Sequence, residues 1–168
     1  MWLIIGYGNR LRGDDSAGPR LAERLSDQWS KEQISVISGH QLTPELALEL
    51  AAPEVEGVLF LDAKQNQTTA CVISQLNPDG TGSCGHQLSP QQLLQLARKL
   101  YGHAVPGWLL TIAGEQFSFC EQLSPACEYN STLAFQQAVN FINSTPNKLG
   151  TLSLLSKTQL IHRTICSD

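Results

Sequence analysis

The sequence predicts an α/β fold: a three-layer α/β/α arrangement around a mostly parallel, twisted sheet of about five strands. Strand-like and helix-like segments alternate from the start of the chain, the order that builds a parallel sheet. The predicted strands are near-continuous apolar runs, as expected for strands covered by helices on both faces. With 168 residues, the chain is long enough for one domain with a buried core.

Apolar periodicity and turn residues define the elements of the first half. The run Trp2–Tyr7 enters a glycine turn directly and predicts a buried strand. Apolar residues four positions apart within 16–30 predict a helix with one apolar face. Thr43 and Pro44 are typical of an N-cap and a first helical position. The predicted elements are strands at 2–7, 34–37, 55–61 and 69–73, the last at the sheet edge, and helices at 16–30 and from 43 to about 50.

The second half shows clearer helix boundaries. Ser89 and Pro90 predict a helix start, and Gly102 predicts its end near Tyr101. A strand at 108–112, ending at Gly114, and a helix over 131–142 follow. The α/β domain is therefore predicted to cover 1–143. The remaining segment, 144–168, is a C-terminal extension that either docks as an extra segment or forms a loose tail.

Composition limits the possible partners. Net charge is −4 and no basic run is present, so nucleic acid is not an expected partner. The apolar opening is too short for a signal peptide or a membrane span. Five cysteines without a C-x-x-C pair give little support for a disulfide scaffold or a structural zinc site. We expect no membrane partner and a cytoplasmic location.

Four residues could carry chemistry at the carboxyl edge of the sheet, where ligands bind in open α/β folds. Asp14 and Asp15 follow the glycine turn after the first strand, Asp62 closes the third strand, and His86 enters a later helix. An acidic pair repels phosphate and favours a cation or proton transfer. Two carboxylates and one imidazole suit a divalent transition metal, and three ligands leave an open position for catalysis.

Each candidate also has a purely structural interpretation. One of Asp14 and Asp15 could cap the first helix, Asp62 could be a turn residue, and His86 could be a solvated surface residue. Other polar residues near this edge are His40 as structural support or a substrate contact, Cys84 as a softer ligand, and Glu115 as a residue of the mouth.

Motifs of several other enzyme classes are missing from the sequence. Gly6, Gly8 and Gly13 of the opening turn do not form G-x-G-x-x-G, and no acidic residue ends the second predicted strand to hold a ribose. G-K-[ST], G-x-S-x-G and H-E-x-x-H do not occur. A dinucleotide site, a P-loop, a serine-hydrolase elbow and an ordinary zinc protease are therefore not expected.

The sequence resembles the [NiFe]-hydrogenase maturation endopeptidases. The most specific block is the opening one, and further blocks follow in family order over roughly 2–143. These blocks are Gly6-x-Gly8-Asn9-x-Leu11-x-x-Asp14-Asp15-x-x-Gly18, Gln41-Leu42-Thr43-Pro44-Glu45-Leu46, Leu59-Phe60-Leu61-Asp62-Ala63, His86-Gln87-Leu88, Leu100-Tyr101-Gly102, and Gly114 with Leu123-Ser124-Pro125.

The resemblance implies a function and a site. Enzymes of this family remove a C-terminal extension from the hydrogenase large-subunit precursor after nickel insertion. By position, Asp15, Asp62 and His86 would be the catalytic and metal-binding trio. Nickel would be supplied by the precursor, with another divalent metal as a substitute in vitro, and the enzyme would be a monomer. Asp14 would cap the helix or orient the ligands.

Two alternatives stay open at this stage. Some relatives place the histidine directly after a Ser-Pro pair, which here would correspond to Gln91. The competing function is a nickel-sensing assembly chaperone that binds the precursor without cutting it. A nucleotide-binding module is disfavoured by the acidic pair.

Overall fold

Five strands form one sheet in the computed structural model, which describes residues 1–77 and 87–145. Their order is β2-β1-β3-β5-β4; β4 pairs antiparallel to β5, and the other neighbours pair parallel. The elements are β1 Trp2–Tyr7, a 3-10 turn Gly13–Ser16, α1 Ala17–Leu25, β2 Ile34–Gly39, α2 Leu46–Leu50, β3 Gly57–Gln65, β4 Cys71–Gln75, α3 Pro90–Tyr101, β5 Gly107–Gly114 and α4 Pro125–Ser144.

Two apolar cores, one on each face of the sheet, confirm the three-layer α/β/α prediction. Alternate side chains of β1 enter opposite cores: Ile4 packs in the core that holds residues of α1 and α4. Leu3 and Ile5 pack in the core that holds residues of α2 and α3. Successive side chains of a strand point to opposite faces, so β1 is buried from both sides as its apolar run predicted.

The first helix is shorter than its apolar spacing predicted. It ends at Leu25 because the Ser26 hydroxyl donates to the carbonyl of Glu23 at 2.6 Å, a local bond that competes with helix continuation. Trp29 still packs against the core, and its indole N–H donates to Asn143 Oδ1 at 3.1 Å. The spacing of four positions between apolar residues therefore extends beyond the end of the helix into a turn.

The last helix begins six residues earlier than predicted, at Pro125 instead of Ser131. Its N-cap is Ser124, whose hydroxyl accepts the N–H of Cys127 at 3.1 Å. The exposed residues of its first turns, such as Glu128 and Tyr129, carry no apolar stripe, so periodicity did not reveal them. Ser124 and Pro125 repeat the signal that correctly located α3.

Two smaller predictions also differ from the structure. The second helix starts at Leu46 with no side-chain cap, so Thr43 is not its N-cap. Leu48, one of the apolar residues of this helix, is 58% exposed. The fourth strand lies at the sheet edge as predicted, but covers Cys71–Gln75 instead of 69–73. Among residues 1–77 and 87–145, no helix has the length and apolar content to cross a membrane.

Candidate active site

Asp15 is held at the carboxyl end of β1 by the glycine turn. Gly8 has φ of +147°, and a Cβ added there would overlap the carbonyl oxygen of Asp15. The chain therefore turns back tightly enough for the N–H of Asn9 to donate to Asp15 Oδ2 at 2.9 Å. A Cβ on Gly18 would likewise overlap the carbonyl oxygen of Leu61, so α1 packs directly against the strand ends.

Asp62 reaches the same edge of the sheet from β3. The prediction that it closes the third strand is wrong, because β3 continues to Gln65. Pairing between β1 and β3 stops at Gly6 and Leu61, while Asp62 and the residues after it still pair with β5. Asp62 is therefore the first β3 residue beyond the end of β1 pairing, where a cleft opens.

The two carboxylates line a common cleft of about 280 Å³. His40, which the sequence placed at this rim, also lines it. The cleft is formed by Tyr7, Gly8, Asn9, Arg12, Asp15, His40, Gln41, Leu42, Asp62, Ala63, Gln87 and Leu88.

Burial makes Asp62 an unusual carboxyl group. Its removal from water and the nearby charge of Asp15 raise the pKa of Asp62 to about 6, although hydrogen bonds from Tyr7 and the N–H of Ala63 oppose the rise. Burial of the Tyr7 hydroxyl and the nearby charge of Asp62 raise the pKa of Tyr7. Tyr7 therefore stays a neutral donor, while Asp62 can exchange a proton near neutral pH.

Asp14 is fully buried and does not line the cleft. The prediction that one of the two aspartates caps the first helix is wrong, since neither the turn nor α1 has a side-chain cap. Instead, Asp14 accepts hydrogen bonds from the N–H groups of Glu115, Gln116 and Ser124 and from the Ser124 hydroxyl, at 2.6–2.8 Å. Burial opposes its ionisation, but these bonds outweigh burial and hold the pKa of Asp14 below its usual value.

The other predicted residues have different outcomes. His86 and Cys84 lie outside the described residues, although Gln87, the neighbour of His86, lines the cleft. Gln91, the alternative position for the histidine, lies on α3 and donates to the carbonyl of Asn77 at 2.6 Å. Glu115 is exposed and not part of the cleft lining. Within 1–77 and 87–145, no three His, Cys, Asp or Glu side chains are grouped to hold a metal.

Sequence reasoning assigned no role in the site to Tyr7, Asn9 or Arg12, which also line the cleft. The available signal was their position: all three follow the start of the glycine turn at the carboxyl end of a buried strand. Residues at that place in an open α/β sheet face the ligand crevice.

Several solved structures share this architecture. The [NiFe] hydrogenase maturation protease HycI from Thermococcus kodakarensis KOD1 superposes with a TM-score of 0.69 at 19% identity, over 85% of this chain and 92% of its own. The hydrogenase maturating endopeptidase HybD from Escherichia coli gives 0.64 at 20% identity, over 84% and 91%. The chain has the maturation-protease fold.

A third structure with the maturation-protease fold is similar to the same extent. The hydrogenase 2 maturation peptidase from Thaumarchaeota archaeon SCGC_AB-539-E09 gives a TM-score of 0.62 at 22% identity, over 84% of this chain and 97% of its own. No protein-family model matches the chain, and no curated protein matches it significantly. At these identities the likeness establishes the fold.

Proposed function

We propose that this protein is an endopeptidase that removes the C-terminal extension from the large-subunit precursor of a [NiFe] hydrogenase. The observation that carries the proposal is the meeting of Asp15 and Asp62 in one cleft between β1 and β3. From β1 the chain passes through α1 to β2 on one side, whereas β4 and β5, which follow β3 in the chain, lie on the opposite side of β3. The cleft between β1 and β3 is therefore the topological switch point, where α/β folds bind ligands.

The chemistry of the cleft fits a metal-bearing substrate. Two carboxylates in one polar cleft attract a divalent cation, and oxygen and imidazole ligands suit a transition metal. We propose that Asp15, Asp62 and His86 complete the coordination of nickel already seated in the precursor, which is therefore part of the substrate. Similarity to structures named hydrogenase maturation proteases gives independent support.

Binding through the nickel would place the scissile peptide in the cleft in one orientation, which lowers the entropic cost of reaction. A metal in this position polarises a carbonyl and lowers the pKa of a bound water. Because an empty precursor would lack the recognised metal, cleavage would follow only correct metal insertion.

The test is to incubate the purified protein with nickel-loaded precursor and with nickel-free precursor and to measure intact mass. Loss of a C-terminal peptide from the loaded precursor alone supports the proposal. Binding without a mass change would favour the nickel-sensing chaperone, and cleavage of both forms would remove the role of nickel.

A pair of variants links the activity to the cleft. Asp62→Asn should abolish cleavage, because it removes a charge from the cleft. The control is Asp27→Asn, at an exposed position after α1, and this variant should cleave like the wild type. Full activity of Asp62→Asn would exclude the proposed role of that carboxylate.

A further inference from the structure

We propose that Tyr7 is a positioning residue that fixes the orientation of the Asp62 carboxylate in the cleft. The Tyr7 hydroxyl donates to Asp62 Oδ2 at 2.9 Å across 55 positions of sequence. This inference rests on the proposed function, because it assigns Tyr7 a part in the same site.

The position of the Tyr7 ring is set by the fold. Tyr7 is the last residue of β1, paired in register with Gly39 of β2. The ring packs against the apolar core that contains Phe60 and Leu93, and its other end faces the cleft. A half-buried tyrosine of this kind is held by packing at the ring and by one hydrogen bond at the hydroxyl.

The hydrogen bond gives Asp62 a defined geometry. With Oδ2 bonded to Tyr7, rotation of the carboxylate breaks a part-buried hydrogen bond, and a polar group that loses its partner away from water is unfavourable. Partners that orient a ligating carboxylate are worth roughly 10-fold to 100-fold in metal affinity or activity. Tyr7 can supply this effect without touching the substrate.

A simple space-filling role makes a different prediction. Phenylalanine would fill the same volume against the core, so a residue needed only for packing would tolerate Tyr7→Phe. The hydroxyl alone distinguishes the two roles. The chain offers a matched control in Tyr129, which is 66% exposed on α4. Tyr129→Phe removes the same hydroxyl group from a position away from the cleft.

The test compares the wild type, Tyr7→Phe and Tyr129→Phe in precursor cleavage, well below their melting temperatures. For Tyr7→Phe we expect kcat to fall roughly 10-fold to 100-fold with KM unchanged, and for Tyr129→Phe no change in either. A rise in KM alone would mean that Tyr7 contacts substrate, and unchanged kinetics would mean that it only packs. Either result overturns the proposal.

A second readout does not depend on activity. In protein labelled with ¹³C-aspartate, the Asp62 carboxyl resonance, assigned by its loss in Asp62→Asn, should move in Tyr7→Phe and stay in place in Tyr129→Phe. No movement would show that the contact does not exist and would overturn the inference. Absence of cleavage by the wild type would instead refute the proposed function, whatever the resonance does.

Discussion

Ser124 donates two hydrogen bonds to the carboxylate of Asp14, one from its backbone N–H at 2.6 Å and one from its hydroxyl at 2.8 Å. The same hydroxyl accepts the N–H of Cys127 and so caps α4. Asp14 thereby joins the start of the last helix to the turn that carries Asp15. Its role is to hold together two parts of the chain that are 110 positions apart.

Asp14→Asn should destabilise the fold. An amide has one acceptor oxygen and presents its NH₂ group to backbone N–H donors, so several hydrogen bonds to a charged group are lost. We expect a decrease of about 3 kcal/mol in the free energy of unfolding, measured by urea denaturation at pH 7. Asp27→Asn should change it by less than about 0.5 kcal/mol; a loss as small for Asp14→Asn would contradict the role of the network.

The contribution of Asp14 should depend on pH. Because hydrogen bonds hold its pKa below the unfolded value, its ionised form stabilises the fold above the unfolded pKa of about 3.9. That stabilisation is lost as pH falls through the folded pKa. The difference in unfolding free energy between the wild type and Asp14→Asn should therefore shrink between pH 6 and pH 3. A constant difference over this range would show that ionisation of Asp14 is not involved.

Asp62→Asn should increase stability while abolishing cleavage. The pKa of Asp62 is raised from 3.8 to about 6 by burial, so the fold favours its protonated form. The contribution of the protonated carboxyl to folding stability is fully present below the unfolded pKa and is lost as pH rises through about 6. Above that pH the ionised carboxylate lowers the free energy of unfolding. An amide, which can still accept from Tyr7, should raise the free energy of unfolding at pH 8 by about 2–3 kcal/mol. Equal stability of the two proteins at pH 8 would argue against this cost.

Gly8→Ala should disrupt the site more than a comparable substitution elsewhere. The φ of Gly8 is +147°, and the new Cβ would overlap the Asp15 carbonyl. Gly102→Ala is the control, because Gly102 also has a positive φ, +71°, but no atom lies within 4 Å of its added Cβ. Gly102→Ala should cost about 1–2 kcal/mol, and Gly8→Ala clearly more, with loss of cleavage. Similar melting temperatures for the two variants would refute the close approach.

Local signals predicted the fold wherever they were strong. The boundaries of α3 were correct because Ser89, Pro90 and Gly102 mark its ends chemically: Ser89 and Gln92 form a reciprocal capping box, and Gly102 adopts the left-handed conformation. The predicted limits of α1 and α4 were wrong because they were taken from apolar spacing. They did not use the hydrogen bond of the Ser26 hydroxyl, which ends α1, or the N-cap at Ser124, which begins α4.

The site could be predicted only in part. Topology alone was sufficient to place Asp15, Asp62 and His40 at one edge, since the carboxyl ends of parallel strands meet there. The partners of Tyr7 and Asp14 lie 55 and 101–110 positions away, and no local pattern encodes such pairings. The metal-binding role of Asp15, Asp62 and His86 and the domain boundary after 143 stay predictions.

The backbone bonds to Asp14 also have a consequence for amide exchange with solvent. Glu115, Gln116 and Ser124 lie in a connecting segment, where amide protons usually exchange quickly, yet their N–H groups point into a buried carboxylate. Their exchange requires the contact with Asp14 to open, so all three should exchange at a common, slow rate, close to that of the Cys127 N–H, which the Ser124 hydroxyl accepts. The turn that carries Asp14, the segment from Glu115 to Ser124 and the start of that helix would then form a single cooperative opening unit of the native protein.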